Sequence, residues 1–373
     1  VNNSYLVCCA CGLALFASCS SPFDGYRGSV VLAGSAPVSG GHCESSAMLN
    51  ALLYEGYAVT ESMITGGGGA LDFSLTKGMF PFIGARNLDM RERFFAASGI
   101  EWHKVIPTGN DAGWAEIDGL LRKGVPVVLR VDMRYLPYLY GGKYGPAHMS
   151  FGWHMITLFG VDYDKGLAYV SDTANVGLQT IRLRDLAKAR TSTTKNLTPH
   201  AEYYWAEPAG SPYSGARKLD ADSLARSSFE AVLGNYENGA LENLSRFGCD
   251  IRSLERDGAK PFLLPAILEY MAGTIEDYGT GGASFRILYR GFLEYAVKES
   301  SFRGSADLIS LIDDSISQWH RLAAAFRDSA KRIKGMNEAD RAAEYEKLGK
   351  IADSLYESEK RFYTALRIMY RGA

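Results

Sequence analysis

The run "HMITLFGVDYDKGLAYVSDT", residues 154–173, constrains the fold more than any other stretch. An apolar, β-branched segment leads into Asp164-Lys165-Gly166, and "LAYVSDT" follows as a second extended segment. Strand, tight turn, strand is the pattern of an antiparallel hairpin. "VPVVLRVDM" (125–133) is a continuous β-branched run, as expected of a buried strand. From Gly41 to about Pro208 such strand-like runs mix with helical ones. "PAGSPYSGARK" (208–218) then reads as a linker, and the period changes. Leu308, Leu311, Ile312, Ile316, Trp319, Leu322, Ala323 and Phe326 recur at helical spacing, and 342–370 repeats the pattern. The expected fold class is α+β: a mixed domain over 41–208, then an all-helical domain over 218–373.

With 373 residues the chain is long enough for two ordinary domains, each with its own core. Forty Lys and Arg stand against 42 Asp and Glu, so no global field draws in nucleic acid, and none is expected as a partner. After residue 27 no apolar run is long enough to cross a bilayer. The first residues differ. "YLVCCACGLALFASCSS" has the length and small apolar character of a signal-peptide core, although the usual positive charge before it is missing. Its end, "LFASC", resembles the lipobox of bacterial lipoproteins, which makes Cys19 the expected lipidation site. On this reading 1–19 is a signal peptide, 20–40 a Ser/Gly/Pro-rich tether, and the protein is exported and membrane-anchored, touching the membrane only through its lipid. If the segment is misread, the location is cytoplasmic. Beyond the leader only Cys43 and Cys249 remain, and no Cys or His pair has zinc spacing, so neither metal nor cofactor is expected.

"GGHCESSAMLNALLYEG" (40–56) places a cysteine where a helix begins. Met48, Leu49, Leu52 and Leu53 mark its apolar side, and Gly56 is a plausible stop. A thiol in the first turn gains from the helix dipole and free backbone N–H groups, which favour the thiolate. Gly40 and Gly41 leave the backbone bare for a substrate carbonyl, with N–H groups of the turn available to an oxyanion. Of the histidines, His42 is adjacent and expected to point elsewhere, while His103, His200 and His320 lie in polar segments. His148 and His154 remain, and His154 is favoured because it opens a strand. The hairpin returns Asp172 to its level, giving Cys43, His154 and Asp172 as nucleophile, base and orienting carboxylate. Asn175, three residues later, is the alternative orienting group. The bland reading makes Cys43 a buried structural cysteine.

Cysteine at a helix start, His on a strand and Asp ending the next strand resembles papain-like cysteine enzymes, especially the bacteriocin-processing peptidases. "HCESSAMLNALLYEG", "FPFIGAR", "VDMRYLPY" and "HMITLFGVDYD" are more closely similar to the N-terminal domain of butirosin biosynthesis protein H. "GTGGASFRILYRGFLEYA" (279–296) resembles the helical domain of unknown function that often follows it. The resemblance covers about 41–330. It implies acyl transfer from an acyl carrier protein to an amine, and a Gly-rich loop lining the cleft at "TGGGGALDF" (65–73). Papain-like peptidases also place a Gln shortly before the cysteine, and "GSAPVSGG" has none. An exported protein would not meet an acyl carrier protein, which is a partner only for a cytoplasmic one.

Gly41, Gly68 and Tyr135 are therefore candidate substrate contacts, with Asp132, Tyr138 and Tyr140 in the same strand-end segment as Tyr135. Arg286 and Arg290 are read as a solvated helix face or as anion binders reaching the cleft. The expected function is cysteine-dependent acyl transfer or hydrolysis of an ester, thioester or amide. Its partners are a small-molecule or peptide acyl donor and an amine or water acceptor. The rival is a surface-tethered, non-catalytic ligand-binding protein on the same scaffold.

Overall fold

A computed structural model describes residues 23–372 apart from 24, 110, 141–149, 174, 196, 303 and 305. The expected leader, Cys19 and His148 lie outside the described residues. The N-terminal half is built on an antiparallel sheet of β5 (Trp102–Val105), β10 (Tyr203–Ala206), β6 (Val127–Val131), β7 (His154–Asp162), β8 (Leu167–Ser171) and β9 (Gln179–Arg182), in that spatial order. The short β1 (Ser29–Val31) pairs with the far end of β7. The hairpin expected at 154–173 forms, with Thr157 opposite Ser171 and Asp162 opposite Leu167. Its register shifts between Leu158 and Gly160. There a side chain at Gly160 would stand 2.6 Å from the Val30 carbonyl and the Val31 Cα, so a glycine is what lets β1 close in.

β7 is buried along its whole length because helices cover both faces of the sheet. On one face Val128, Met155 and Tyr204 pack against Ala47 and Ala51 of α1 (Cys43–Tyr54). The Thr157 hydroxyl donates to the Ala47 carbonyl at 2.7 Å, tying helix to strand. On the other face Val127, Leu129, Ile156 and Leu158 meet Trp114, Ile117 and Leu121 of α4 (Trp114–Arg122) and Leu186 of α5 (Leu183–Thr191). Between α1 and the sheet the chain forms α2 (Glu61–Gly67), a hairpin of β3 (Leu71–Thr76) and β4 (Phe82–Arg86), and α3 (Met90–Ser98).

The C-terminal half is helical: α6 (Ala221–Asn235), α7 (Leu241–Arg252), α8 (Leu264–Glu276), α9 (Arg286–Glu299), α10 (Ala306–Arg332) and α11 (Glu338–Arg371). The stripe read from the sequence is the inner face of α10: Leu308, Ile312, Trp319, Leu322, Ala323 and Phe326 are all buried. Each of its larger side chains contributes roughly 1.5–3 kcal/mol. One apolar cluster runs from Met48 and Leu52 of α1 through Met63 and Ile64 of α2 to Leu224, Phe292, Trp319 and Leu355. The two halves therefore share a core.

Three expectations change here. The segment 208–218 is a strap rather than a free linker: Ala209 and Gly210 donate to the Glu55 carbonyl, Tyr213 donates to that of Leu53, and β11 (Arg217–Lys218) pairs with β2 (Tyr57–Ala58). The glycines at 66–69 line no cleft. A side chain at Gly66 would meet Phe292 at 2.1 Å, one at Gly68 the Met90 carbonyl at 2.2 Å, and one at Gly69 Ala231 at 2.3 Å. They are bare so that α2 can press against α9, α3 and α6, and Gly68 is a packing residue, not a substrate contact. Arg286 is neither solvated nor in a cleft. It is wholly buried and paired with Glu359 of α11 at 2.8 Å, whereas Arg290, on the outer side, pairs with Asp313 and Glu294.

Candidate active site

α1 begins at Cys43, with His42 extended ahead of it (φ −137°, ψ 135°). His42 makes no side-chain cap. Glu61, the first residue of α2, does that work from outside. One oxygen accepts from the Gly41 N–H at 2.8 Å, the other from the His42 N–H at 2.9 Å and the Ser45 hydroxyl at 2.8 Å. The N–H groups of Gly41 and His42 are thus occupied. Among the described residues the N–H groups of Cys43, Glu44 and Ser45 in the first turn have no hydrogen-bond partner, and that of Cys43, on the thiol's own residue, is a donor open to an oxyanion.

The Cys43 thiol is half-buried and close enough to the His154 side chain for each to shift the other's protonation. His154 Nε2 lies 2.9 and 3.0 Å from the two Asp172 oxygens, so the carboxylate engages that ring nitrogen and not Nδ1. Asp172 follows the last hairpin pair, and is itself held by the Thr173 N–H at 2.6 Å and the Tyr138 hydroxyl at 2.8 Å. Asn175 closes the turn, its N–H donating to the Asp172 carbonyl, so the carboxylate beside the imidazole is that of Asp172.

Charge follows from this geometry. Burial pushes the Cys43 thiol up, but the neighbouring His42 and His154 outweigh it and draw the thiol down to about 7. Burial would depress His154. Asp172, and then the thiol, raise it instead to about 10. Asp172 stays below its ordinary range, against burial, through His154, Tyr138 and the Thr173 N–H. The two shifts run in opposite directions, and both favour a thiolate beside an imidazolium. Glu44, one residue into the helix, is a second charge beside the thiol. Burial disfavours its charged form, yet Arg86 (2.7 Å) and Arg91 (2.8 Å) hold it far below the usual carboxylate range. Its negative charge still pushes the thiol up, the least of these influences on Cys43, while the two arginines offset it.

The remaining candidates are elsewhere. Gly41 is in the loop but its bare Cα faces the helical half: a side chain there would stand 2.7 Å from the Gly281 Cα. Its N–H is taken by Glu61, so substrate approach is not what the missing side chain serves. Tyr135 is half-buried, packed on the sheet core under Arg134. Asp132 is fully buried. It accepts from Ser150, Ser192 and Thr194 at 2.6–2.7 Å and from the Arg134 and Phe151 N–H groups. It fixes the loop that delivers His154 and is closed to substrate. His103 stacks on Trp205 at 3.8 Å, with Glu101 and Glu207 each 3.6 Å from its Nε2. Among the described residues these three bring ligand atoms within 4.8 Å of one another, at the open edge of the sheet away from the thiol. Glu61, the Glu44–Arg86–Arg91 cluster and the role of Tyr138 had no sequence signal, because each depends on contacts 16 to 47 residues apart.

Residues 42–173 match the family described as butirosin biosynthesis protein H, N-terminal, and residues 184–366 match a domain of unknown function, DUF4872. Cys43, His154 and Asp172 all fall in the first match, while β10 of the sheet falls in the second. No curated protein matches the chain.

Proposed function

This chain joins a butirosin biosynthesis protein H N-terminal domain to a DUF4872 domain, and from that premise we propose that it is a papain-like cysteine enzyme that transfers or hydrolyses acyl groups. The observation that carries the reading is the His154–Asp172 hydrogen bond beside Cys43 at a helix start, with the thiol drawn down to about 7. The Cys43 thiolate attacks the carbonyl carbon of an ester, thioester or amide, forming a C–S bond, while the Cys43 N–H steadies the oxyanion. Collapse breaks the bond to the leaving group, which takes the proton from the His154 imidazolium. In the second half His154 removes a proton from an amine or water as it attacks the thioester. The thiolate leaves, and the imidazolium is restored. Asp172 orients the ring throughout.

Phe151 and Trp153, about 40% exposed and just ahead of His154, support an apolar contact for the acyl chain. A carrier-protein donor belongs to a cytoplasmic setting and a small thioester or ester to an exported one. Lipidation at Cys19 is the part of the proposal that decides between them, and radiolabelled palmitate incorporation lost in Cys19→Ser tests it.

The experiment is acyl-enzyme trapping. p-Nitrophenyl acetate, or the acetyl thioester of N-acetylcysteamine, should add one hydroxylamine-labile acetyl group at the Cys43 peptide, cleared faster by added amine. A chain that turns over neither donor, or that acylates equally with Cys43→Ala, contradicts the reading.

A further inference from the structure

The helical half touches the thiol site through a strained turn. Gly281 and Gly282 have φ of 68° and 86°, and Ala283, Ser284 and Phe285 follow at 44°, 52° and 71°. Three consecutive L-residues in the left-handed region are costly, and persist only where surrounding contacts over-determine them. Those contacts face two ways. Toward the site, the Gly279 carbonyl lies 2.7 Å from His42 Nδ1, the Gly281 N–H donates to the Gly41 carbonyl at 3.2 Å, and the Phe285 ring meets the His42 ring edge-on at 5.0 Å. Toward the helical core, the Arg286 guanidinium donates to the Ser284 carbonyl at 2.7 Å and reaches the Asp72 and Ala85 carbonyls of the β3–β4 hairpin at 3.4–3.5 Å. Glu359 holds Arg286 from behind, and is itself bonded by Ser315, Trp319 and Tyr236. The next hairpin residue, Arg86, binds Glu44.

We propose that the DUF4872 half is a working part of the thiol site: its left-handed turn 281–285, pinned by Arg286, seats His42 and the Gly40–Cys43 loop, and Arg286 is a positioning residue for Cys43 chemistry. This rests on the reading of Cys43 as a nucleophile. The bare Cα of Gly41 is explained by it, since only a glycine admits the Gly281 backbone there. So is the orientation of His42. With Nδ1 donating to the Gly279 carbonyl, its ring is fixed beside Cys43, and Nε2 is buried with no hydrogen bond. The charged and titratable groups around His42 are Cys43 and Glu44 on its own helix (Glu44 at 3.9 Å) and Glu61 of α2. The turn itself offers only a carbonyl and a phenyl ring. Positioning, not a new charge, is what the helical half supplies.

The test uses the full chain with Arg286→Lys and Phe285→Gly. Lysine keeps a positive charge beside Glu359 but loses the fork to the turn and hairpin. Glycine removes the ring from His42 at a backbone angle that suits it. Iodoacetamide alkylation is read at the Cys43 peptide across pH, beside thermal unfolding. Folded variants should show the Cys43 profile displaced upward by about one unit, which is roughly fivefold slower alkylation at pH 7 with little change at pH 10. Folded variants that superimpose on the parent overturn the inference and leave the acyl-transfer reading intact. A parent thiol that is itself unactivated overturns both. Without any substitution, the bonded amides of Gly281 and Phe285 should exchange with deuterium as slowly as that of Ser46 in the helix. A rapidly exchanging turn beside a protected helix would overturn the positioning role.

Discussion

Two buried ionic clusters lie on either side of the 281–285 turn, and their differences say what each is for. Arg286–Glu359 has no exposed atoms to speak of, and every oxygen of Glu359 is bonded. Arginine does not give up its proton in proteins, so nothing there can move. Cys43–His154–Asp172 keeps one half-buried member, whose thiol is drawn down toward neutrality while the imidazole is raised and keeps its proton. The first cluster stores rigidity. The second stores a transferable proton and a nucleophile, and depends on the first to hold its surroundings still.

Substitutions separate the two roles. The largest effect on turnover is expected from Cys43→Ala, with kcat/KM lower by at least about 10³-fold and unfolding unchanged. Retained acyl transfer would remove the second cluster from the chemistry. Asp172→Asn should cost about 10²–10⁴-fold in kcat/KM. Its pH signature has a definite sign. Asp172 is what holds His154 at about 10, so its neutralisation lets the imidazolium lose its proton at lower pH, and the alkaline limb of the rate profile moves down. An unmoved limb would mean that another group orients His154.

At the other cluster the readout is stability. Glu359→Ala strands a buried guanidinium and should cost about 3–5 kcal/mol in denaturant unfolding. Arg286→Met with Glu359→Leu should restore most of that, while Cys43 reactivity stays reduced. A double variant that recovers both would erase the contrast. The smallest effect belongs to Tyr138→Phe, which removes one of several bonds to Asp172 and should lower kcat/KM by about tenfold or less. A loss as large as that of Asp172→Asn would make the hydroxyl a direct participant.

The sequence made some of this visible and hid the rest for a physical reason. The 154–173 hairpin, the 127–131 strand and the α10 stripe were legible because each is written in local periodicity. Cys43, His154 and Asp172 were legible because a helix start and a two-strand hairpin fix their places over short distances. Glu61, Tyr138 and Arg286 act through partners brought together only by the complete fold, and their residue types give no hint of it. The glycines misled in one direction. Gly41 and Gly68 read as openings for a substrate, and both are instead places where another backbone comes close. A missing side chain marks close approach, and composition alone does not say by what.

The most direct test of the central claim is the pH dependence of Cys43 alkylation by iodoacetamide, read at the Cys43 peptide, with and without His154→Ala. The account predicts half-maximal reactivity near 7 in the parent and a shift toward the ordinary thiol value of about 8.5 when the imidazole is removed. A thiol that titrates near the ordinary value in both, indifferent to His154, would make Cys43 a structural residue and end the argument for catalysis.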